Sequence, residues 1–304
     1  MKKINVAFYI EISPDQNDRG HMLLDSFRDN PHIGTVVKYL PSRLRFTAEH
    51  GKTVFSFDDM IVSPETLDML VIRGGLKDIA LNKQFIHHCR QEGIKVFDNN
   101  MTEVGYLIDK KADSLTFARN GLSFPKTHFV NDEMFLHALE PYFPLVMKAI
   151  NSSRGKKVYK MRSLDDVRKV MRDLNKQSGQ FIFQEFIDYK YDLRMLVIGD
   201  EVVATMRRFP NEGDFRANHS LGGRVELFEP TEAMKEFAIH VAKRCKLHMS
   251  GVDILVDHDD RMYVIEANRN PGLSGISQTT GTNIAQYAMN YMLEVMGYEG
   301  HTHR

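Results

Sequence analysis

The sequence predicts two kinds of mixed fold in succession, an α/β region on a parallel sheet and then an α+β region built from hairpins. Three observations carry this. Up to about residue 100, strand-length apolar runs alternate with helical stretches, the order a parallel sheet requires. Further on, strand-like runs follow one another with tight-turn signals such as Gly199-Asp200 between them. Near the C-terminus, a last hairpin carries polar side chains where a buried face calls for apolar ones.

The first strand is "INVAFYI", rich in β-branched and aromatic residues. "DRGHMLLDSFRDN" spaces Met22, Leu23 and Phe27 as one helical face. "LDMLVIRGG" reads as a buried strand that stops at a glycine pair. "NKQFIHHCRQEG" is a helix closed by Gly93, and "IKVFDN" follows as a strand. "EVGYLIDKKADSLTFARNG" is a long helical stretch ending at Gly121. "FPLVMKAI" and "VYKM" are strands around the polar loop "NSSRGKKV". "SLDDVRKVMRDLNKQSG" opens on the capping residue Ser163 and closes at Gly179. After "FIFQEFID", the runs "DLRMLVIGD" and "EVVATMRRF" form a hairpin. "TEAMKEFAIHVAKRCKL" is an amphipathic helix capped by Thr231, and "NIAQYAMNYMLEVMG" is the last helix. The terminal "GHTHR" reads as a frayed tail.

The 304 residues are enough for two domains and a large core. The 40 basic and 40 acidic residues balance, so no bulk charge points to nucleic acid or to a membrane surface. Cys89 and Cys245 offer no metal-ligand spacing and no disulfide framework, which suits a reducing compartment and a cytoplasmic location. The opening "MKKINVAFYIEIS" is read as a buried strand, because Glu11 interrupts the apolar run and no small-residue cleavage site follows. No apolar run reaches membrane-spanning length.

The hairpin "GVDILVDHDDRMYVIEANRNPG" spans residues 251–272. With a turn over Asp257 to Asp260, Val256 faces Arg261 and Asp253 faces Val264. Alternation then places Asp253, Glu266 and Asn268 on one face, with diagonal neighbours about 7–8 Å apart. Two carboxylates and an amide form a hard-oxygen set suited to magnesium. The bland alternative is a solvated face of an antiparallel sheet. Pro271 and Gly272 fix a sharp exit beside the polar pair and favour the site.

These residues resemble the metal signature of the ATP-grasp superfamily, an Asp on one strand and Glu-x-Asn on the next. More narrowly, the chain is similar to the RimK-type ligases, which attach amino acids, commonly glutamate, to a carboxyl group. The matching stretches are "DKKADSLTFARNGLSFPKT", "PLVMKAINSSRGKKV", "QEFID", "DLRMLVIGDEVVATMRR", "EGDFRANHSLGG", "SGVDILV" and "EANRNPGLSGISQTTGTNIA". They occur in family order over most of the chain after residue 100. The resemblance implies an ATP-grasp fold behind an N-terminal parallel-sheet (pre-ATP-grasp) domain. The expected domains are residues 1–100 on the substrate side, 101–182 as the lid subdomain, and 183–304 as the subdomain with the metal site.

The resemblance also implies roles. Lys110 and Lys148 fall where the family's two ATP lysines lie, and Glu185, Phe186 and Ile187 match the segment that meets adenine. Asp192 matches a ribose or nucleotide contact. Ser153 and Gly155 belong to the lid loop, and Arg216 and Asn218 in "FRAN" match residues near phosphates and metal. Arg194, Arg207 and Arg216 are the expected catalytic arginines, with Arg208 beside them. Asp253, Glu266 and Asn268 are the expected ligands of magnesium, two ions by the family pattern, with manganese as the alternative. Two departures stand out. The lid loop has one glycine where relatives have more, and Arg269-Asn270 replaces the usual serine before Pro-Gly. Both bear on substrate choice.

The implied activity is ATP-dependent amide formation between a carboxylate acceptor (protein, peptide or small molecule) and an amino acid. It runs through an acyl phosphate and needs no covalent enzyme nucleophile. The implied assembly is a homo-oligomer. The rival readings are a nucleotide-binding regulator without turnover and a kinase-like enzyme that stops at phosphoryl transfer. Amine-dependent phosphate release and product mass separate the three.

Overall fold

The structure is a computed structural model, and it describes residues 3–10, 21–73, 78–98, 109–150, 157–210, 215 and 224–298. The chain divides into two compact units. One comprises residues 1–104, 247–249 and 270–304, and the other residues 105–246 and 250–269.

The first unit holds the parallel sheet expected from the β-α-β order. Strands β1 (Ile4–Tyr9), β2 (Ile33–Tyr39), β6 (Met69–Ile72) and β7 (Lys95–Phe97) run in the order β2-β1-β6-β7, with every pair parallel. Such strands are covered on both faces, which is why "INVAFY" and "MLVI" are near-continuous apolar runs. Helix α1 (His21–Arg28) turns Leu23, Leu24 and Phe27 inward, and Phe27 meets Phe8 edge-on. Helix α2 (Ile79–Gln91) is capped by Asp78, whose carboxylate accepts from the Leu81 amide at 2.9 Å.

Residues 33–61 carry no predicted element, yet beyond β2 they form a separate antiparallel sheet. Its strands are β3 (Leu44–Glu49), β4 (Lys52–Phe57) and β5 (Met60–Ile61), in that order. Phe55 and Phe57 are its anchor. They pack on Phe85 of α2, with ring centroids 5.4 and 5.5 Å away, and Phe57 stacks on Tyr39. Buried aromatic area holds the small sheet in place.

The second unit contains two sheets built around antiparallel hairpins. Strands β8 (Thr127–His128), β9 (Leu145–Ala149), β10 (Val158–Met161) and β11 (Phe181–Glu185) run in the order β10-β9-β11-β8. Helix α4 (Leu164–Asp173) packs Leu164, Val167 and Met171 on them, and the Asp166 amide donates to the predicted cap Ser163 at 3.3 Å. Strands β12 (Tyr189–Ile198), β13 (Glu201–Phe209), β14 (Arg224–Leu227), β15 (Met249–Asp257) and β16 (Met262–Asn268) run in the order β14-β13-β12-β15-β16. Gly199, with φ of 60°, makes the predicted turn between β12 and β13. Helix α5 (Glu232–Arg244), capped by Thr231, buries Ala238, Val241 and Ala242. The chain then returns to the first unit, where α6 (Ser274–Thr280) and α7 (Ile284–Val295) lie.

Within the described residues, the long predicted helix before Gly121 begins at Lys110, as α3 (Lys110–Arg119). Asp109 sets that start. Its carboxylate accepts from the amides of Lys111 and Ala112 at 2.8 and 2.9 Å. Among the described residues, no helix is long and apolar enough to cross a membrane. Replacing Asp109 with alanine is expected to lower stability by about 1 kcal/mol, the value of an N-cap. Denaturant unfolding with an unchanged slope is the check.

Candidate active site

The hairpin β15–β16 brings its polar residues to one face by a different register from the expected one. Asp253 lies opposite Glu266, and Gly251 opposite Asn268. The turn is shorter than predicted. Asp257 and Arg261 close it, residues 258–260 form the loop, and Asp260 takes a left-handed φ of 62°. The Asp257 carboxylate holds the loop by accepting from the amides of Asp259 and Arg261. A bulge at Ile265, between the Asp253 and Ile254 pairings, supplies the compensating residue. The two shifts add, so the pairing near the site moves by an even step and the face is preserved. The expected pairing of Asp253 with Val264 is thus corrected, while the shared face of Asp253, Glu266 and Asn268 holds.

The neighbouring hairpin aims two arginines at this face. Asp192 pairs with Arg208 and Arg194 with Met206 across β12 and β13, so Asp192, Arg194 and Arg208 share a side. Arg194 grips Asp253 with a two-pronged contact, Nε to Oδ1 at 2.7 Å and Nη2 to Oδ2 at 2.6 Å. Arg208 bridges the two aspartates. Its Nε donates to Asp192, and its Nη2 lies 3.2 Å from Asp253. The side chains of Arg208, Asp192 and Asp253 are 6%, 5% and 6% exposed, so each charge depends on the others. Burial alone would raise the Asp253 pKa. Arg194 and then Arg208 outweigh it and hold the carboxyl below its usual range. For Asp192 burial wins, and its pKa is pushed up to about 6 despite Arg208.

The two predicted lysines stand in the same field. Lys148 lies near the end of β9, half-buried. Burial first, and then the nearby charge of Lys110, push its ammonium down to about 8, against the pull of Glu266, Asp253 and Asp192. Lys110 is the first residue of α3, and burial lowers its pKa against the pull of Glu266, Asp113 and Asp109. Asp113, one helical turn on, is a member that the motif reading missed. Burial and then Glu266 raise it to about 8. A charged residue three places after a motif lysine was the available signal. Lys110, Lys148, Arg194 and Arg208 therefore form one electrostatically coupled cluster with Asp113, Asp192, Asp253 and Glu266.

Not every expected residue arrives there. Arg207 follows the opposite parity from Arg208 and sits on the other side of the sheet. It pairs with Glu226, and its guanidinium lies 5.1, 5.2 and 4.5 Å from the ring centres of Tyr191, Phe209 and Phe228. Glu185, Phe186 and Ile187 follow directly from β11. The amide of Glu185 donates to the Lys126 carbonyl and that of Phe186 to the Pro144 carbonyl. Arg269 is 6% exposed, and the Asn270 amide donates to the backbone carbonyl of Arg73, within the first unit. Ser153, Gly155, Arg216 and Asn218 lie outside the described residues.

Comparison with known proteins gives a consistent result. Residues 108–292 match the RimK-like ATP-grasp domain family. A probable alpha-L-glutamate ligase of Trichodesmium erythraeum (strain IMS101) is 26% identical over 284 residues, covering 90% of this chain and 92% of that protein. The ribosomal protein bS6–L-glutamate ligase of Escherichia coli O81 (strain ED1a) is 32% identical over 199 residues, 64% of this chain and 66% of that enzyme. Among solved structures, the ATP-grasp ligase PsnB, complexed with a phosphomimetic variant of its minimal precursor, Mg and ADP, has the same fold. Its TM-score is 0.67 at 17% identity, covering 97% of this chain and 99% of that one. The chain belongs to the RimK-like ATP-grasp family, and it is an ATP-dependent carboxylate–amine ligase of that kind.

Arg208→Ala is expected to cost about 3–5 kcal/mol, because it leaves Asp192 and Asp253 buried beside each other with one partner gone. Arg207→Ala removes a partly exposed pair and cation–π contacts, and is expected to cost about 1–2 kcal/mol. Equilibrium unfolding of the two variants side by side decides the order.

Proposed function

We propose that the enzyme joins an amino acid, glutamate in the first instance, to a carboxylate on a protein, peptide or small molecule, through an acyl phosphate. The observation that carries this reading is the opposed pair Asp253 and Glu266, with Asn268 on the same face, coupled to the charges of Lys110, Lys148, Arg194 and Arg208. The glutamate ligases among the relatives support the choice of amino acid. The relative named for ribosomal protein bS6 supports a protein among the proposed acceptors. Balanced charge and two buried, unpaired cysteines support a cytoplasmic setting.

The donors fit magnesium, since Asp253, Glu266 and Asn268 are all hard-oxygen ligands. Bound there, the metal would neutralise phosphate oxygens. Two ions are the expected number, with manganese as the alternative. Lys148 and Lys110 hold phosphates as point charges. Arg194 and Arg208, already fixed by their aspartates, present the remaining N–H groups to charge that develops on the transferred phosphoryl group. The family resemblance supports a ribose or nucleotide contact for Asp192, whose carboxylate is held by Arg208. With the amides of Glu185 and Phe186 engaged inside the chain, the adenine edge falls to Ile187 and the backbone carbonyls of this segment. The family resemblance supports phosphate contacts for Ser153, Gly155, Arg216 and Asn218, which lie outside the described residues. Arg207 supports the sheet from its other face.

In the first step an acceptor carboxylate oxygen bonds to the γ-phosphorus while the bond to ADP breaks. In the second the amine nitrogen bonds to the acyl carbon, phosphate leaves, and the amine loses a proton to solvent. Arginine side chains that reach the site pre-oriented have little to reorganise during either step.

Glu266→Ala is expected to abolish amine-dependent ADP release while circular dichroism stays unchanged. Full activity in the folded variant would remove Glu266 from the metal site. The assay that tests the whole reading is a screen of amino acids for ADP release, with mass spectrometry of the product. An added glutamyl residue is the expected result, and a phosphorylated end product would replace ligase with kinase.

Lys148 also predicts a pH dependence. Phosphate binds the protonated ammonium, whose pKa in the free protein is about 8. The affinity for an ATP analogue with magnesium is therefore expected to fall as pH rises through about 8, and binding near that pH should take up a proton. Calorimetry in buffers of different ionisation enthalpy measures both. Lys148→Arg should flatten the profile, because arginine stays charged. Lys148→Ala should lose about 1.5–3 kcal/mol of binding, roughly ten- to hundred-fold.

A further inference from the structure

The edge strand β3, "LRFTAE", is exposed along Arg45 to Glu49, on both of its faces. One side pairs with β4, and among the described residues no strand pairs with the other. Proteins usually guard such an edge with lysine, proline, a bulge or a covering loop. Here the ladder from Leu44 to Glu49 is regular, and the strand holds neither lysine nor proline. Phe46 is 56% exposed although its ring leans on Phe55. Its charges are instead of opposite sign near the two ends, Arg45 and Glu49.

We propose that β3 pairs antiparallel with β3 of a second copy of this chain, about a two-fold axis at Thr47, to form a symmetric dimer. Hydrogen-bonding groups alternate along a strand, so a two-fold axis through an antiparallel pair must pass between a residue and its own copy. An axis at Thr47 sets Arg45 opposite Glu49 of the second copy, and does so twice. It also lays Phe46 against Ala48 on the other face, removing exposed aromatic surface from water. An axis at Phe46 would require Arg43 to meet Glu49, but Arg43 lies in the turn before the strand and already pairs with Asp58 at 3.1 Å. An axis at Ala48 sets Arg45 against Gly51 and leaves it without a partner charge. Arg45 is available for exchange, since its contact within the chain, to Asp59 at 3.7 Å, is long and solvent-exposed.

A six-residue ladder buries less than the ~1,200 Å² of a standard interface, so the dimer is expected to dissociate on dilution. The strand belongs to the first unit and shares no residue with the proposed active site, which makes this inference independent of the ligase reading.

Sedimentation velocity of the full chain over a dilution series is the test. The wild type should show a concentration-dependent dimer. Arg45→Glu and Glu49→Arg should each give monomer, and the two together should restore the dimer, because the charge pattern is then swapped intact. Circular dichroism checks that each variant is folded. Thr47→Cys should form a reducible cross-linked dimer under mild oxidation, as a residue facing its own copy lies within disulfide reach. Cys89 and Cys245 are buried and should leave the wild type uncross-linked. A wild type that is monomeric throughout, single variants that dimerise like the wild type, or a double variant that stays monomeric would each overturn the proposal.

Discussion

The buried carboxylate of Asp253 is the point on which the second unit depends. An isolated charge at 6% exposure would be far too costly to keep, so the chain supplies Arg194 as a fork and Arg208 as a bridge. Arg208 in turn needs Asp192. Strands β12, β13 and β15 are therefore linked by an ionic chain as well as by backbone ladders. A hydrophobic replacement of similar volume could hold the same strands together. What it could not do is keep two guanidinium groups aimed at one face without help from substrate.

Asp192 and Asp253 show how local balance decides protonation. Both are almost equally buried, and both neighbour Arg208. Asp253 has in addition the two-pronged hydrogen bond from Arg194 and is held below the usual carboxylate range, while Asp192 feels Arg194 only through its charge, is opposed by Asp253, and is raised to about 6. Lys148 and Lys110 lie on the other side of the ledger. Each is close to the other, and burial lowers both. On the ligase reading proposed above, a bound polyanion would offset the charge of Lys110 that acts on Lys148.

Much of this was legible in the sequence, and the failures have simple physical causes. The parallel sheet was readable because strands covered on both faces leave unbroken apolar runs. Ser163, Thr231 and Gly199 were readable because capping and tight turns have local chemistry. The small sheet of β3 to β5 was not, because its stability comes from Phe55 and Phe57 packing on Phe85, a contact across sequence. The resemblance to a family named the motif residues, but it could not say which of Arg207 and Arg208 faces the site. That is set by the parity of the β12–β13 register, which a single misjudged residue reverses. Asp113 belongs to no strand pattern, and only the packing of α3 against β16 brings it near Glu266.

The hairpin β15–β16 shows why one part of the site survived an error in register. Alternation makes the face of a residue depend only on whether the pairing shift is odd or even. The turn at residues 258–260 moved the tip by one step, and the bulge at Ile265 moved the inner half by one more. Near the tip, Ile254 and Val264 pair and are buried together, as apolar partners should be. Past the bulge, Asp253 and Glu266 pair instead. Without the bulge, the tip register carried inward would set Asp253 opposite Ile265 and turn Glu266 to the other face. The bulge thus lets one hairpin serve two environments, an apolar pair toward its tip and an oxygen-donor pair at its base. It also accounts for the opening oddity of the motif, in which polar residues occupy strand positions that the core would otherwise claim.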